Sequence, residues 1–243
     1  SGPLGLTFGL SQRTRDFNGT TDPDHFDTTT TSMTLGATLR MGERTSTSLT
    51  LARTDFDAED AVLTSRKTDR VTLGLEHAIS PDLRLSASLG QSRVTVDQTV
   101  GLVSTRRTND GLSASLGLTR DLANGTLGLN LGQEVSINGT RTNLTVSRAM
   151  DLPTGALDLT FGASRASGGS ATWIGSLGYN HELPRGGIRA SLNRQAGTNS
   201  ADEDVTTTRA QLGWAHEMTD TTGIDLSLDY LDVDSSTVGD DRT

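Results

Sequence analysis

A Ser–His or Asp–His centre needs an imidazole beside its partners, so the histidines are the first place to look for chemistry. The 243 residues hold four of them. His77, His181 and His216 occupy one shared place in a recurring segment, and only His25 sits among carboxylates, with Asp22, Asp24 and Asp27 around it. A loop cluster of that kind is read as solvated. Acidic groups recur as Asp55/Asp57, Asp202/Glu203/Asp204, Asp232/Asp234 and Asp240/Asp241, but none has the spacing of an EF-hand loop. Cysteine is absent, which excludes disulfide frameworks, CxxC redox centres and Cys-ligated zinc. A net charge of -9 argues against a nucleic-acid binder, which carries a basic stripe. Asn-x-Thr occurs at Asn18, Asn124, Asn138 and Asn143, and its Asn-Gly cases are read as turn formers. The expectation is a protein that is not an enzyme, with no catalytic residue, metal or cofactor.

The remaining charged residues fall into sets defined by position. Arg53, Arg93, Arg165 and Arg194 each follow a series of alternating apolar residues. His77, Arg120, Arg148, His181 and His216 each stand just before a short turn, in segments such as Leu73-Gly-Leu-Glu-His-Ala-Ile79 and Leu177-Gly-Tyr-Asn-His-Glu-Leu183. Such regular placement asks what elements carry it.

The chain is 33% hydrophobic, 21% charged and 4% aromatic, and it contains 38 Thr, 24 Ser and 27 Gly. Composition this poor in apolar residues suggests disorder when taken alone, yet the residues are ordered. Leu4, Leu6, Phe8 and Leu10 alternate with Gly5, Thr7, Gly9 and Ser11; Met33, Leu35, Ala37 and Leu39 alternate with Thr34, Gly36 and Thr38. The same alternation returns at Val71–Ile79, Leu83–Leu89, Leu112–Leu118, Leu127–Ile137, Leu144–Met150, Leu157–Ala163, Trp173–Leu183, Ile188–Leu192, Ala210–Met218 and Ile224–Tyr230. With a weaker segment at Leu49–Phe56, where the alternation shifts phase, the count is about 13 strands. Period two is the strand signature, and no stretch holds a helical period.

Connections alternate in length. Short turns fall at Gly42–Arg44, Ser80–Asp82, Asp121–Gly125, Asp151–Gly155, Pro184–Gly187 and Thr219–Gly223, and between them come longer polar links at Arg13–Thr31, Asp57–Asp69, Asp97–Asp110 and Gly197–Thr206. Asn138–Gly139 and Ser167–Ser170 are shorter members of the second set. Antiparallel strands with one short-turn end and one long-loop end describe a bacterial outer-membrane barrel. On these features the chain resembles the porin-like outer-membrane β-barrel proteins of Gram-negative bacteria, and most of all the uncharacterised β-barrel porin families of proteobacteria. It departs from them in its scarce aromatics and in ending on Asp240-Asp241-Arg242-Thr243.

The expected fold class is all-β, an antiparallel up-and-down transmembrane β-barrel. A thirteenth strand would run parallel to the first, and bacterial single-chain barrels have even strand numbers. Residues 1–243 are therefore read as a single barrel domain truncated at its C-terminus, with 14 or more strands in the intact protein. The apolar face is expected to meet lipid. The small residues of the other face, such as Ser86, Ser88, Gly90, Gly128, Asn130 and Gly132, are too small to fill a narrow interior and imply a wide lumen holding water, a plug or a partner protein.

Charges on the lipid face are expected near the interfaces only. Arg53, Arg93, Arg165 and Arg194 would lie at the loop-end rim facing lipopolysaccharide phosphates. His77, Arg120, Arg148, His181, His216, Tyr179 and Trp214 would form the periplasmic interface, with Trp173, Tyr230 and Phe56 near the loop end. The lumen would carry Arg40, Glu76, Arg84, Glu134, Asp158, Arg189, Arg209, Asp225 and Asp229. These features point to a passive outer-membrane pore of unknown substrate. The alternatives are the barrel of a polysaccharide or protein export system, or a secreted β-rich adhesin or fibre protein.

Overall fold

The structure, a computed structural model, describes residues 3–16, 27–60, 63–198, 204–219 and 221–235. His25, Asp22 and Asp24, together with Asn18, Asp202, Glu203, Asp240 and Asp241, lie outside the described residues. The elements are β1 (Leu4–Arg15), β2 (Thr28–Arg40), β3 (Thr45–Ala58), β4 (Ser65–Ser80), β5 (Leu83–Val100), β6 (Val103–Leu122) and β7 (Gly125–Ser136). They continue with β8 (Gly139–Leu152), β9 (Gly155–Ala166), β10 (Ala171–Leu183), β11 (Gly186–Thr198), β12 (Asp204–Thr219) and β13 (Thr222–Ser235). All belong to one sheet in chain order, each strand antiparallel to its sequence neighbours. This is the all-β up-and-down architecture that the alternation predicts. No pairing joins β1 to β13 among the described residues.

Register keeps the apolar residues on one face from strand to strand. Leu10 pairs with Met33, Leu35 with Leu51, Leu51 with Val71, Leu73 with Leu89, Leu116 with Leu131 and Leu144 with Ala163. A slip of one residue would reverse every side chain, so the apolar pattern itself enforces this pairing. Tight turns support it. At the starts of β7, β9 and β11, a Cβ on Gly125, Gly155 or Gly186 would collide with a backbone carbonyl of the following strand, at Ala149, Asn180 and Ala215 respectively. Gly125 and Gly186 also have φ of 121° and 147°, which only glycine adopts freely.

Three expectations change. The polar segment Asp97–Asp110 is not a loop: β5 runs to Val100, β6 starts at Val103, and only Gly101–Leu102 turns between them, with Gly101 at φ 59°. The two-residue period persists there in polar residues, so hydropathy fades while pairing continues. The segment Leu49–Phe56 is one uninterrupted strand. Its phase shift reflects Arg53 and Asp55 replacing leucines on the apolar face. Phe56 consequently lies on the polar face opposite Arg66, whose guanidinium sits 5.9 Å from the ring centre, and it is no girdle residue.

The third change concerns the small residues. Gly36 faces Thr7, Gly74 faces Ser48, Gly117 faces Ser86 and Gly128 faces Ser147, each pair in direct register on the polar face. A Cβ on Gly74 or Gly117 would stand 2.5 Å from the opposing hydroxyl. Small size at these positions answers crowding on the polar face of a curled sheet, so it is not by itself a measure of lumen width.

Burial is distributed unevenly. The apolar face is open along its length, with Leu6 at 76% and Leu73 at 59% exposure. Among the described residues the buried side chains are Ala58, Thr64, Ser92, Val94, Val96, Val135, Ile137, Arg141 and Ser164, and these belong to the loop end of the sheet, while Gly117, between Ser86 and Asn130 on the polar face, is buried nearer the turn end. No helix among the described residues is long and apolar enough to cross a membrane.

Candidate functional site

Two charged and aromatic rows bound the apolar face. Along β4, Asp69 stands in the loop-end row and His77 in the turn-end row, eight residues and about 26 Å apart along the strand. At the roughly 35–45° tilt of outer-membrane strands it would span about 20 Å of height, somewhat less than their ~25 Å apolar band. His77, Arg120, Arg148, Tyr179, His181, Trp214 and His216 all stand on the apolar face toward the short-turn ends of their strands. His77 Nδ1 lies 2.9 Å from Thr45 Oγ1, and His181 Nδ1 lies 3.1 Å from Thr154 Oγ1. Tyr179 stacks on His181 with ring centres 6.0 Å apart, and Trp214 on His216 at 5.6 Å. Arg120 donates to Asp82 at 3.4 Å, and Arg148 donates to Asn124 Oδ1 and to the carbonyls of Thr126 and Ala149. Rings with an apolar body and a polar edge suit a headgroup boundary.

At the loop end the four arginines are on the apolar face, as expected, but they are not equivalent. Arg53, Asp69, Arg93 and Asp110 occupy one row of register partners across β3–β6, alternating in sign. Arg53 donates to Asp55 at 3.0 Å and lies 4.0 Å from Asp69, while Lys67 lies 3.7 Å from Asp69. Arg165 donates to the Gly169 carbonyl at 3.2 Å. Arg194 lies 4.6 Å over the Trp173 ring and donates to Thr208 at 2.8 Å. The carboxylates of the ladder sit in other strands at unrelated sequence distances, so only the register brings them beside the arginines.

The polar face holds all nine charges assigned to the lumen, and they divide by region. Arg40, Glu76 and Arg84 line an open cleft of about 470 Å³ at the turn end, with Arg84 paired to Asp121 at 2.5 Å. Glu134 lies 4.0 Å from Arg141 at the loop end. Between these ends, the polar face of β1–β8 carries Gly, Ser, Thr and Asn, such as Thr72, Gly74, Ser88, Ser115, Asn130 and Thr145. The polar face of β9–β13 is different. Asp158, Ser191, Gln211 and Asp229 fall in one register row, and Gln211 donates to Asp229 at 2.7 Å. Arg189, Arg209 and Asp225 flank that row, and an open cleft of about 530 Å³ lies along it.

The loop end holds what sequence reasoning missed. Pairing of β6 with β7 stops at Ala114–Gln133 although both strands run on, and pairing of β10 with β11 stops at Gly175–Arg194 in the same way. In the first gap, Asn109 donates to the Ser136 carbonyl at 2.6 Å and Gln133 to the Leu112 carbonyl at 3.1 Å. Val94, Val96 and Ile137 pack together there, Val96 at 1% exposure. In the second gap, Arg141 of β8 reaches Asp204 of β12. Strand parity places Arg141 on the polar face, but nothing in the sequence names its partner.

Two turn and tip carboxylates are held in their ionised form. Asp82 lies below its ordinary range, chiefly through the Ser80 hydroxyl, which donates to it. Asp97 is lowered by the hydrogen bonds from Arg106, at 2.6 and 3.1 Å, and the Arg106 guanidinium is raised in return. Among the described residues no group of histidines and carboxylates has the arrangement of a metal site.

No family model matches the chain, and no curated protein matches it. Among solved structures it is similar to the translocator domain of autotransporter NalP from Neisseria meningitidis, at 17% identity and a TM-score of 0.32, covering 96% of this chain and 83% of that one. It is also similar to the beta domain of the Bordetella autotransporter Brka, at 15% identity and a TM-score of 0.36, covering 96% of this chain and 93% of that one. At these values the likeness transfers neither an activity nor a residue's role.

Proposed function

We propose that the chain forms the wall of a Gram-negative outer-membrane β-barrel and that the passage lined by its polar face serves protein export. The observation that carries the membrane reading is the apolar face itself. It is continuous across the thirteen described strands, exposed or half-exposed along its length, and bounded at both ends by polar residues. A face of that extent has no counterpart on a monomeric protein in water, where apolar patches reach only a few hundred Å². Each leucine shielded from water by lipid contributes about 2 kcal/mol. Arg165 and Arg194 at the rim would then meet lipopolysaccharide phosphates, whereas Arg53 and Arg93 stand beside carboxylates of their own sheet.

Export is favoured over a selective pore by the polar face of β1–β8. Channels that sort ions place rings of charge at a constriction, and that region offers hydroxyls, amides and glycines at mid-height instead. Such a surface presents few strong binding groups to a passing chain. Heat-modifiable mobility in detergent tests the barrel, and a chain that stays in aqueous solution without detergent overturns it. Display of a fused reporter at the cell surface tests export. Ion-selective conductance with no display would return the reading to a passive pore.

A further inference from the structure

The loop-end partners of Arg141 are far apart in the sheet. Its Nη1 donates to Ser164 Oγ of β9 at 3.3 Å, and its Nη2 donates to the Gly197 carbonyl of β11 at 3.2 Å and to Asp204 Oδ1 of β12 at 2.7 Å. Nε lies 4.0 Å from Glu134 of β7. The side chain is 7% exposed, against 32% for Asp204 and 52% for Glu134. β8 and β12 are four strands apart, which on a flat sheet is about 19 Å. No side chain spans that gap. The loop ends of β11 and β12 must therefore leave β10, where pairing ceases at Gly175–Arg194, and lean across the inner side of the β9–β10 hairpin.

We propose that Arg141 is the clasp that sets the width of the passage at the loop end, by holding the strand ends at Gly197 of β11 and Asp204 of β12 over the polar face. The proposal rests on the barrel reading above. The contact is additional to the neighbouring-strand ladder, in which β11 and β12 pair with each other as far as Thr198–Asp204. The guanidinium is suited to the task because its fork of donors satisfies a carboxylate, a carbonyl and a hydroxyl at once. A lysine has the charge without the fork. Removing the clasp takes away the guanidinium that lies 2.7 Å from a half-buried carboxylate, so the ends of β11 and β12 at Gly197 and Asp204 are expected to move outward to water.

The absence of native cysteine allows the movement to be read directly. Nitroxides attached at T142C on β8 and T206C on β12, both on the outer face, bracket the clasp. Pulsed dipolar spectroscopy on the refolded full chain should give a single narrow distance. R141A and D204N should each shift it longer by several ångströms and broaden it, the double variant should add nothing further, and R141K should fall between. Single-channel conductance should rise in the same order. An unmoved distance distribution in both R141A and D204N overturns the clasp, and a shifted distribution with unchanged conductance overturns its control of width. Heat-modifiable mobility of the unsubstituted chain is scored separately, so failure of the barrel reading is distinguished from failure of the clasp.

Discussion

The middle of the sheet and its loop end are built from the same strands by opposite rules. In the middle, large apolar side chains point away from the protein and touch only their cross-strand neighbours: Leu89 is exposed between Leu73 and Ala114, and Phe161 between Val146 and Gly175. At the loop end the same strands bury Val94, Val96 and Ile137 on the inner side and enclose Arg141. The middle is organised for an apolar solvent outside, the loop end for water outside and packing within. Stability of the middle thus depends on what surrounds the molecule. The loop end carries its own small core and will respond to substitution as a soluble domain does.

The comparison breaks most sharply at Leu89. On a water-exposed surface, L89R would be nearly neutral; facing the bilayer midplane, it is expected to cost about 2–4 kcal/mol. Loss of heat-modifiable mobility for L89R checks this, and an unchanged folded fraction would remove the distinction between the two regions. A smaller effect is expected from G162A. A Cβ there meets the Leu144 carbonyl, a backbone atom that cannot turn aside, so strain of about 1–3 kcal/mol follows. At Gly36 the obstacle is a hydroxyl on Thr7, which can rotate, so G36A should be milder in denaturant titrations of the refolded chain.

V96A deletes two methyl groups from the loop-end cluster, worth about 1.5 kcal/mol. Faster amide exchange confined to the β5–β6 tip is the expected result, with protection in the apolar band unchanged. The smallest effect concerns acid. Asp97 is held below its ordinary value of 3.8 by Arg106, so its contribution is present above that value and disappears as pH falls through the lowered one. Amide exchange near Asp97 should rise only below about pH 4, and D97N should abolish that pH dependence. A response spreading into the middle of β5 would show that the two regions are coupled.

Much of this was legible along the chain. Alternation at Leu4–Leu10 or Val71–Ile79 depends on one strand alone, because side chains two apart share a face whatever lies beside them. The short turns were equally visible, since Asn124-Gly125 and Pro184-Arg185-Gly186 specify local backbone shape. Strand count and the face on which His77, Arg148, His181, Trp214 and the charges of the polar face stand followed from these. The polar hairpin of Asp97–Asp110 was not visible, because pairing beyond the apolar band needs no hydropathy contrast. Nor was the ladder of Arg53, Asp69, Arg93 and Asp110, which exists only once four registers are set.

The sequence by itself therefore determined the architecture and the face on which each residue stands, since both follow from a period of two and from turns that close locally. Only the tertiary structure decided which residues meet. Arg141 and Asp204 are 63 positions apart, and their contact arises where two strands stop pairing and a curled sheet brings non-neighbouring strands together. Curvature is a property of the whole sheet. It also explains why glycine stands opposite serine or threonine on the inner face, a pattern visible in the sequence only as an excess of small residues.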